Sequence, residues 1–426
     1  MAGISDKPAA ATSVGGTRWI VVAFLFAAVA LSYIDRQVLS VLKPTLQHQY
    51  GWSETGYGNV ATLFQAAYGI GYIVFGRIVD RVGARLGYAL AVTLWTVGHM
   101  AHALVTSTLG FALVRIPLAL GESGAFPSSL AAVTEWFPTR ERALAIGLFN
   151  AGSNVGAILA PLIVPAVTLA FGWRMAFVLT GLLTVIWVVA WLLFYKSPRA
   201  HPRLGARELA HIESDPVEKH APMPYAVLLR ARQTWAYIAG RFLIDPIWWT
   251  FLFWLPDFFG KRYGLDLKSF GPPLVVIYVL ADVGSILGGW TSSTLLGQGL
   301  SLNLSRKLAM LICALAVLPV AFAAGASSLW LAVGLIGIAC AGHQGFSANL
   351  YALPSDLFPR WAAGSVVGLG GAAGAVGGML MAQFAGWVLQ TTGSYRPIFL
   401  VAACAYLVAL GVVQLLVPRY RPAAAA

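Results

Sequence analysis

Twelve stretches of this 426-residue chain each run for about 20 residues or more with almost no charge, the length a helix needs to cross the ~30 Å hydrocarbon core of a bilayer. They fall at about 19–42, 57–79, 86–106, 109–134, 142–169, 173–195, 234–259, 272–297, 306–325, 328–353, 362–391 and 395–417. In lipid every backbone N–H and C=O must be satisfied internally, so a continuous apolar run of this length folds as a helix. A β-barrel is excluded, because its strands alternate polar and apolar residues over only about 10 positions. Charged residues make up 10% of the chain, far below the ~25% of soluble domains. The expected fold is all-α: a polytopic membrane protein of twelve transmembrane helices.

The net charge of +12 does not imply nucleic acid, because its distribution has a simpler cause. With twelve spans both ends lie on one face. That face collects 19 of the 28 Lys and Arg residues, the other face 6, and Arg36, Arg115 and Arg241 lie inside spans. Basic loops stay cytoplasmic, so both termini are expected in the cytoplasm. Cys313, Cys340 and Cys404 are scattered through apolar spans, which fits neither a disulfide framework nor a metal site. Residues 1–17 read as a disordered tail, and the first apolar run is too long for a cleavable signal.

A polar segment at 197–233 divides the spans six and six, giving an N-terminal bundle at 18–196, a cytoplasmic connecting loop, a C-terminal bundle at 234–418 and a tail at 419–426. Within the connector, 206–214 has the pattern of a short surface helix. The halves repeat. Gly121, Gly124, Glu135, Phe137, Pro138, Gly147 and Gly156 recur 221 residues later as Gly342, Gly345, Asp356, Phe358, Pro359, Gly368 and Gly377. Two pseudo-symmetric six-helix bundles imply a substrate site at the membrane midplane between them.

Charges at that depth cost at least ~2.5–3.5 kcal/mol and mark function. Asp35 and Arg36 are adjacent in the first span, so they point about 100° apart and face different neighbours. Arg115 and Glu122 share a face of the fourth span about 10.5 Å apart, too far to pair, so each requires another partner. Gln65, Tyr68 and Tyr72 form one stripe of the second span, and Asn150, Ser153 and Asn154 one of the fifth. Either stripe can hold hydroxyls or join helices. Arg241 and Asp245 are spaced for a local ion pair. Aligning Pro44…Tyr50-Gly51 on Pro256…Tyr263-Gly264 sets Trp248 and Trp249 opposite Asp35 and Arg36. An aromatic wall suits the C–H face of a sugar, and an arginine suits a carboxylate bidentately. His343, Gln344 and Asn349 stand in the tenth span, His343 at the repeat position of Glu122. His99, His102 and Asp282 read as packing or structural groups. The chain has no phosphate-binding loop and no HExxH, so neither an enzyme nor a self-sufficient ATP-driven pump is indicated, and no cofactor or metal is expected.

The turn between spans two and three carries Gly76-x-x-x-Asp80-Arg81-x-Gly83-x-Arg85, which resembles the signature loop of the major facilitator superfamily. Gly289–Ser293 resembles a degenerate second copy, with Ser293 where an Asp often stands. Tyr33-Ile-Asp35-Arg36, Arg115…Glu122-Ser-Gly-Ala-Phe-Pro127 and Glu135-Trp-Phe-Pro138-x-x-Glu141-Arg142 make the chain similar to the anion:cation symporter branch. Asp245-Pro-Ile-Trp-Trp249, Ser153-Asn-Val-Gly156 and His343-Gln-Gly-Phe-Ser-Ala-Asn349 resemble bacterial hexuronate transporters. The resemblance implies a monomeric carrier in the bacterial inner membrane. It would import a sugar acid such as glucuronate or galacturonate with protons, by alternating access, with the anion, protons and the lipid bilayer as its partners. Arg36 would bind the carboxylate, helped by Tyr33, Gln65, Tyr68, Asn150, Trp248, Trp249, His343, Gln344 and Asn349. Asp35 and Glu122 would couple protons, tuned by Arg115. A symporter of an aldonate or glucarate, a drug/proton antiporter and a non-transporting sugar-acid sensor are the alternatives.

Overall fold

A computed structural model describes residues 15–214 and 224–420. The N-terminal tail up to residue 14, part of the connector at 215–223, and residues 421–426 lie outside the described residues. The helices are α1 Thr17–Tyr50, α2 Glu54–Ala101, α3 Thr108–Ser123, α4 Ala125–Trp136, α5 Thr139–Asn150, α6 Gly152–Phe171 and α7 Trp173–Phe194. After the connector, with its short α8 Ala206–Ile212 and α9 Tyr225–Leu228, come α10 Arg232–Tyr263, α11 Gly271–Gly297, α12 Leu302–Val317, α13 Leu329–Leu357, α14 Arg360–Thr392 and α15 Arg396–Leu416.

Among the described residues, eleven helical stretches are long and apolar enough to cross a membrane. One of them, Glu54–Leu104, is 51 residues long, about 76 Å if straight and therefore far too long for one crossing. It is two crossings. Gly83 adopts φ 79°, ψ 169° inside α2, a left-handed φ that glycine reaches without strain. The chain reverses there: a methyl placed on Gly87 would lie 3.2 Å from the Cα of Val79, whereas a straight helix separates those residues by about 12 Å. The count is then the twelve expected, with α3–α4, α5–α6 and α12 plus the 3-10 turn Leu318–Gly325 each making one crossing. Both ends of the described chain share one side, called here the terminal face.

The surface is inverted relative to a soluble protein. Leu193, Ile286, Phe322 and Leu109 are exposed on it, while Asp35, Arg36, Arg115 and Glu122 are buried within. The sequence repeat is also a packing repeat. A Cβ on Gly156 would meet Ala30 O at 2.3 Å, and one on Gly377 would meet Phe242 O at 2.4 Å. Gly121 touches Ala91 and Trp95, and Gly342 touches Cys313 and Val317. α1 and α10 end on Gly51 and Gly264, both left-handed at φ 66° and 67°. Gly121, Gly156, Gly342 and Gly377 let backbones approach where a side chain would push them apart.

The halves meet through α2 with α14, α1 with α10, and α6 with α11. Contacts between them gather toward the face opposite the termini. Lys43 Nζ is 2.8 Å from Glu54 and 2.8 Å from Asp257, and Lys261 pairs with the same two acids. Tyr395 donates to Asp257. Tyr57 donates to Phe253 O at 2.9 Å, and the Glu54 N–H to Gln390 at 3.0 Å.

On the terminal face, α8 is docked onto the N-terminal half. Buried Glu208 accepts from the backbone N–H groups of Thr17 and Arg18 and from the Arg18 guanidinium. Glu141 joins Arg18 at 2.9 Å and His211 at 2.8 Å. Burial alone would raise the Glu141 pKa, but these two partners outweigh it and hold the carboxyl below the ordinary carboxylate range.

Candidate functional site

Arg36 lies at mid-membrane on α1, 1% exposed. Its Nε and Nη2 both donate to Glu122 Oε2, at 2.8 and 2.7 Å. Four rings surround the guanidinium: Trp249 at 4.7 Å, Tyr33 at 4.8 Å, Tyr68 at 5.0 Å and Phe64 at 5.5 Å, centroid to Cζ. Trp249 comes from α10 and the other three from the N-terminal half, so both halves close on one cation. Aromatic faces stabilise a desolvated guanidinium by up to about 2 kcal/mol each. Only one Glu122 oxygen is engaged; Oε1 has no hydrogen-bond partner.

Arg115 shares this chamber on α3, is 2% exposed, and forms no ion pair among the described residues. It rests on Phe64 at 4.8 Å and Phe253 at 5.6 Å, and its Nε and Nη1 lack acceptors. Gln65 is fully buried with both amide atoms unpartnered, its side chain pressed against Gly378 of the other half. One cation matched by a carboxylate, a second cation with free N–H groups and an idle carboxamide together suit an anion bearing hydroxyls.

Asp35 turns away, as its 100° offset requires. Its Oδ2 accepts from Thr184 at 3.1 Å, and its Oδ1 lies 3.2 Å from His99 Nε2. His99 thus lies against Asp35 without hydrogen-bonding it: its own Nε2 partner is Thr180 Oγ1 at 2.7 Å, and Asp35 Oδ1 is left without one. His102 is held by its Nδ1 to Gly98 O and His99 O and stacks on Phe177.

The remaining candidates divide. Tyr68 reaches Tyr72 at 3.5 Å and stays by Arg36. Trp248 stacks on His343 at 5.1 Å and 3°, and His343 Nδ1 lies 2.6 Å from the Tyr406 hydroxyl. These form the C-terminal wall beside Tyr33. Gln344 is half-buried next to His343. Asn150 is exposed at the end of α5, and no contact joins it to Arg36 among the described residues. Asn349 is spent on helix packing: its Nδ2 donates to Gly288 O and Gly345 O at 2.9 and 3.0 Å, and Arg306 reaches its Oδ1. Arg241 pairs with Asp245 at 2.6 Å, and Tyr351 donates to Asp245 at 3.0 Å. Of the turn residues, Gly76 is half-buried, Asp80 and Arg81 are exposed, Gly83 makes the reversal, and Arg85 donates to Leu192 O at 2.6 Å. In the degenerate copy Ser292 is buried and accepts from Arg306 at 3.0 Å, while Ser293 is exposed.

Twelve crossings in two repeats, closed on buried charge where the halves meet, define a multi-pass membrane protein. A family model described as Major Facilitator Superfamily matches residues 25–342, and the chain belongs to that superfamily. It is 33% identical over 394 residues to the hexuronate transporter of Escherichia coli (strain K12), covering 91% of each chain. It is 35% identical over 307 residues to the galacturonate transporter of Dickeya chrysanthemi, covering 70% of this chain and 89% of that one. Among solved structures, an inward-facing, occupied bacterial homologue of the human lysosomal transporter Spinster superimposes with TM-score 0.73 at 19% identity. That match covers 96% of this chain and 100% of the other, and it bears on the fold alone.

Proposed function

We propose that this protein imports a hexuronate or closely related sugar acid across the bacterial inner membrane by proton symport, its halves rocking about the central site with both termini in the cytoplasm. The observation that carries this reading is the Arg36–Glu122 pair, walled by Tyr33, Tyr68 and Trp249. Without substrate, Glu122 occupies the guanidinium. A substrate carboxylate entering the fork displaces it, and Glu122 then sits buried without its cation. A buried carboxylate deprived of its counter-charge takes up a proton. Anion binding and proton binding therefore favour one another, and linkage makes the effect reciprocal. Arg115, with free N–H groups, and Gln65 receive the polyol end, while Trp249 and Tyr68 cover a C–H face of the sugar. The names of the two relatives, hexuronate and galacturonate transporter, support the substrate class.

The test is uptake into proteoliposomes under an inward proton gradient, with labelled glucuronate, galacturonate, galactonate, glucarate and glucose. Uronates should accumulate and glucose should not. Accumulation that ignores the gradient would sink the symport reading. Binding without counterflow would make the protein a sensor.

A further inference from the structure

Asp35 and His99 form a second titratable pair, set behind the Arg36 chamber, that the exchange at Glu122 leaves unused. His99 Nε2 lies 2.7 Å from Thr180 Oγ1 and 3.2 Å from Asp35 Oδ1. The Thr180 hydroxyl donates its own hydrogen to Ala176 O at 2.8 Å, so toward His99 it accepts. Nε2 therefore carries the hydrogen and gives it to Thr180 Oγ1, while Asp35 Oδ1 beside it accepts no hydrogen bond. The other nitrogen, Nδ1, is then bare, and it is buried without any partner. A bare imidazole nitrogen on one side, and on the other an N–H 3.2 Å from an unpartnered carboxylate oxygen, lets the ring take up one proton as it turns the other onto that oxygen.

The titratable and charged groups facing His99 are Asp35 from α1, His102 from its own helix and Arg115 from α3. α7 contributes Thr180, Thr184 and Phe177. Arg115 and the apolar surroundings make a standing imidazolium costly, which favours passing a proton over storing one. His102 lies 6.3 Å away, ring to ring, toward the turn at 105–107 on the face opposite the termini. Its Nε2 is likewise buried and unpartnered.

We propose that His99 hands protons to and from Asp35. A proton taken up at Nδ1 is matched by release of the Nε2 proton to Asp35 Oδ1. The imidazole is neutral before and after, and the carboxylate becomes a carboxylic acid; the return transfer reverses both bonds. This relay rests on the symport reading and adds a proton route separate from the anion's chamber.

The test uses the full-length protein in proteoliposomes with labelled glucuronate as the probe. His99→Gln places an amide N–H where Nε2–H stood but cannot relay. The variant is expected to keep glucuronate counterflow at equal pH, and to lose gradient-driven accumulation by at least about tenfold, with a flattened pH profile. Accumulation with the unaltered pH profile in His99→Gln overturns the relay and leaves symport intact. If the unsubstituted protein itself accumulates nothing under the gradient, symport falls and the relay with it. A second measurement needs no variant: nitrogen-15 spectra of histidine-labelled protein should give the Nε2–H tautomer for His99, and the Nδ1–H tautomer overturns the proposal.

Discussion

At matched positions of the repeat, the N-terminal half carries charge where the C-terminal half carries rings. By the same offset that pairs Ala30 with Phe242, Arg36 holds the repeat position of Trp248, and Glu122 holds that of His343. Arg36 binds Glu122, whereas Trp248 stacks on His343. The packing surfaces behind these groups are nearly the same: Gly156 against Ala30 and Gly377 against Phe242, Gly121 and Gly342 against the neighbouring span. The acids near the helix ends, Glu135 and Asp356, both accept hydrogen bonds, from Tyr195 at 2.6 Å and from Arg306 at 2.9 Å. Close helix approach is a requirement both halves share, so both copies keep small residues. The inner wall is where the copies differ, and on the function proposed above it answers to a ligand with an anionic end and an apolar face.

Removing the charge is the harshest way to break this asymmetry. Arg36→Ala should reduce uptake to background, and it leaves Glu122 buried without its cation, at about 3–5 kcal/mol of stability. Adding Glu122→Gln should restore the folded yield and not the uptake, as size-exclusion profiles and labelled uptake together would reveal. Glu122→Gln alone should abolish proton-driven accumulation while leaving measurable counterflow; concentrative uptake at the unsubstituted level removes Glu122 from coupling. The shared scaffold should respond symmetrically. Gly156→Ala and Gly377→Ala each force a methyl onto a carbonyl and should each cost about 1–3 kcal/mol in thermal unfolding. A cost confined to one half would mean the two packings are not equivalent. On the aromatic side, Trp249→Ala should raise the half-saturation concentration about tenfold, by loss of cation–π support and ring cover, with Trp249→Phe intermediate.

The smallest effect lies at the connector. Because Glu141 is held below the ordinary carboxylate range, its contribution is present at neutral pH and is lost only as pH falls through the depressed value. Protection against hydrogen exchange in 206–212, taken relative to the intrinsic rate at each pH, should therefore fall on acidification and not on alkalinisation, by an amount worth under about 1 kcal/mol.

The helices were legible because lipid enforces one solution for a long apolar run, and the repeat because glycines at contact points have no substitutes. Gly83 was visible as a turn, although the helix continues almost unbroken on either side of it. The first shell around Arg36 was half legible. Tyr33, Tyr68 and Trp249 could be named, since they lie on polar or repeat-matched positions. Phe64 and Phe253 could not, because a phenylalanine in an apolar span carries no mark of which ring will face a cation. Partner choice was the least legible. Spacing excluded Arg115 as the mate of Glu122, but only the fold brings α1 beside α3. Asn349 has the residue type of a ligand-binding group and spends it on two backbone carbonyls. Composition cannot separate those uses.

The buried Lys43, shared between Glu54 and Asp257 with Lys261 on the same acids, has a consequence for how this end can open. The four groups sum to zero charge. Withdrawing any one of them alone strands the others with a net charge at the edge of a low-dielectric medium. Two of the four belong to each half, one acid and one lysine, so that each half leaves the contact electrically neutral. Parting the halves at this seam therefore strands no net charge on either side of it.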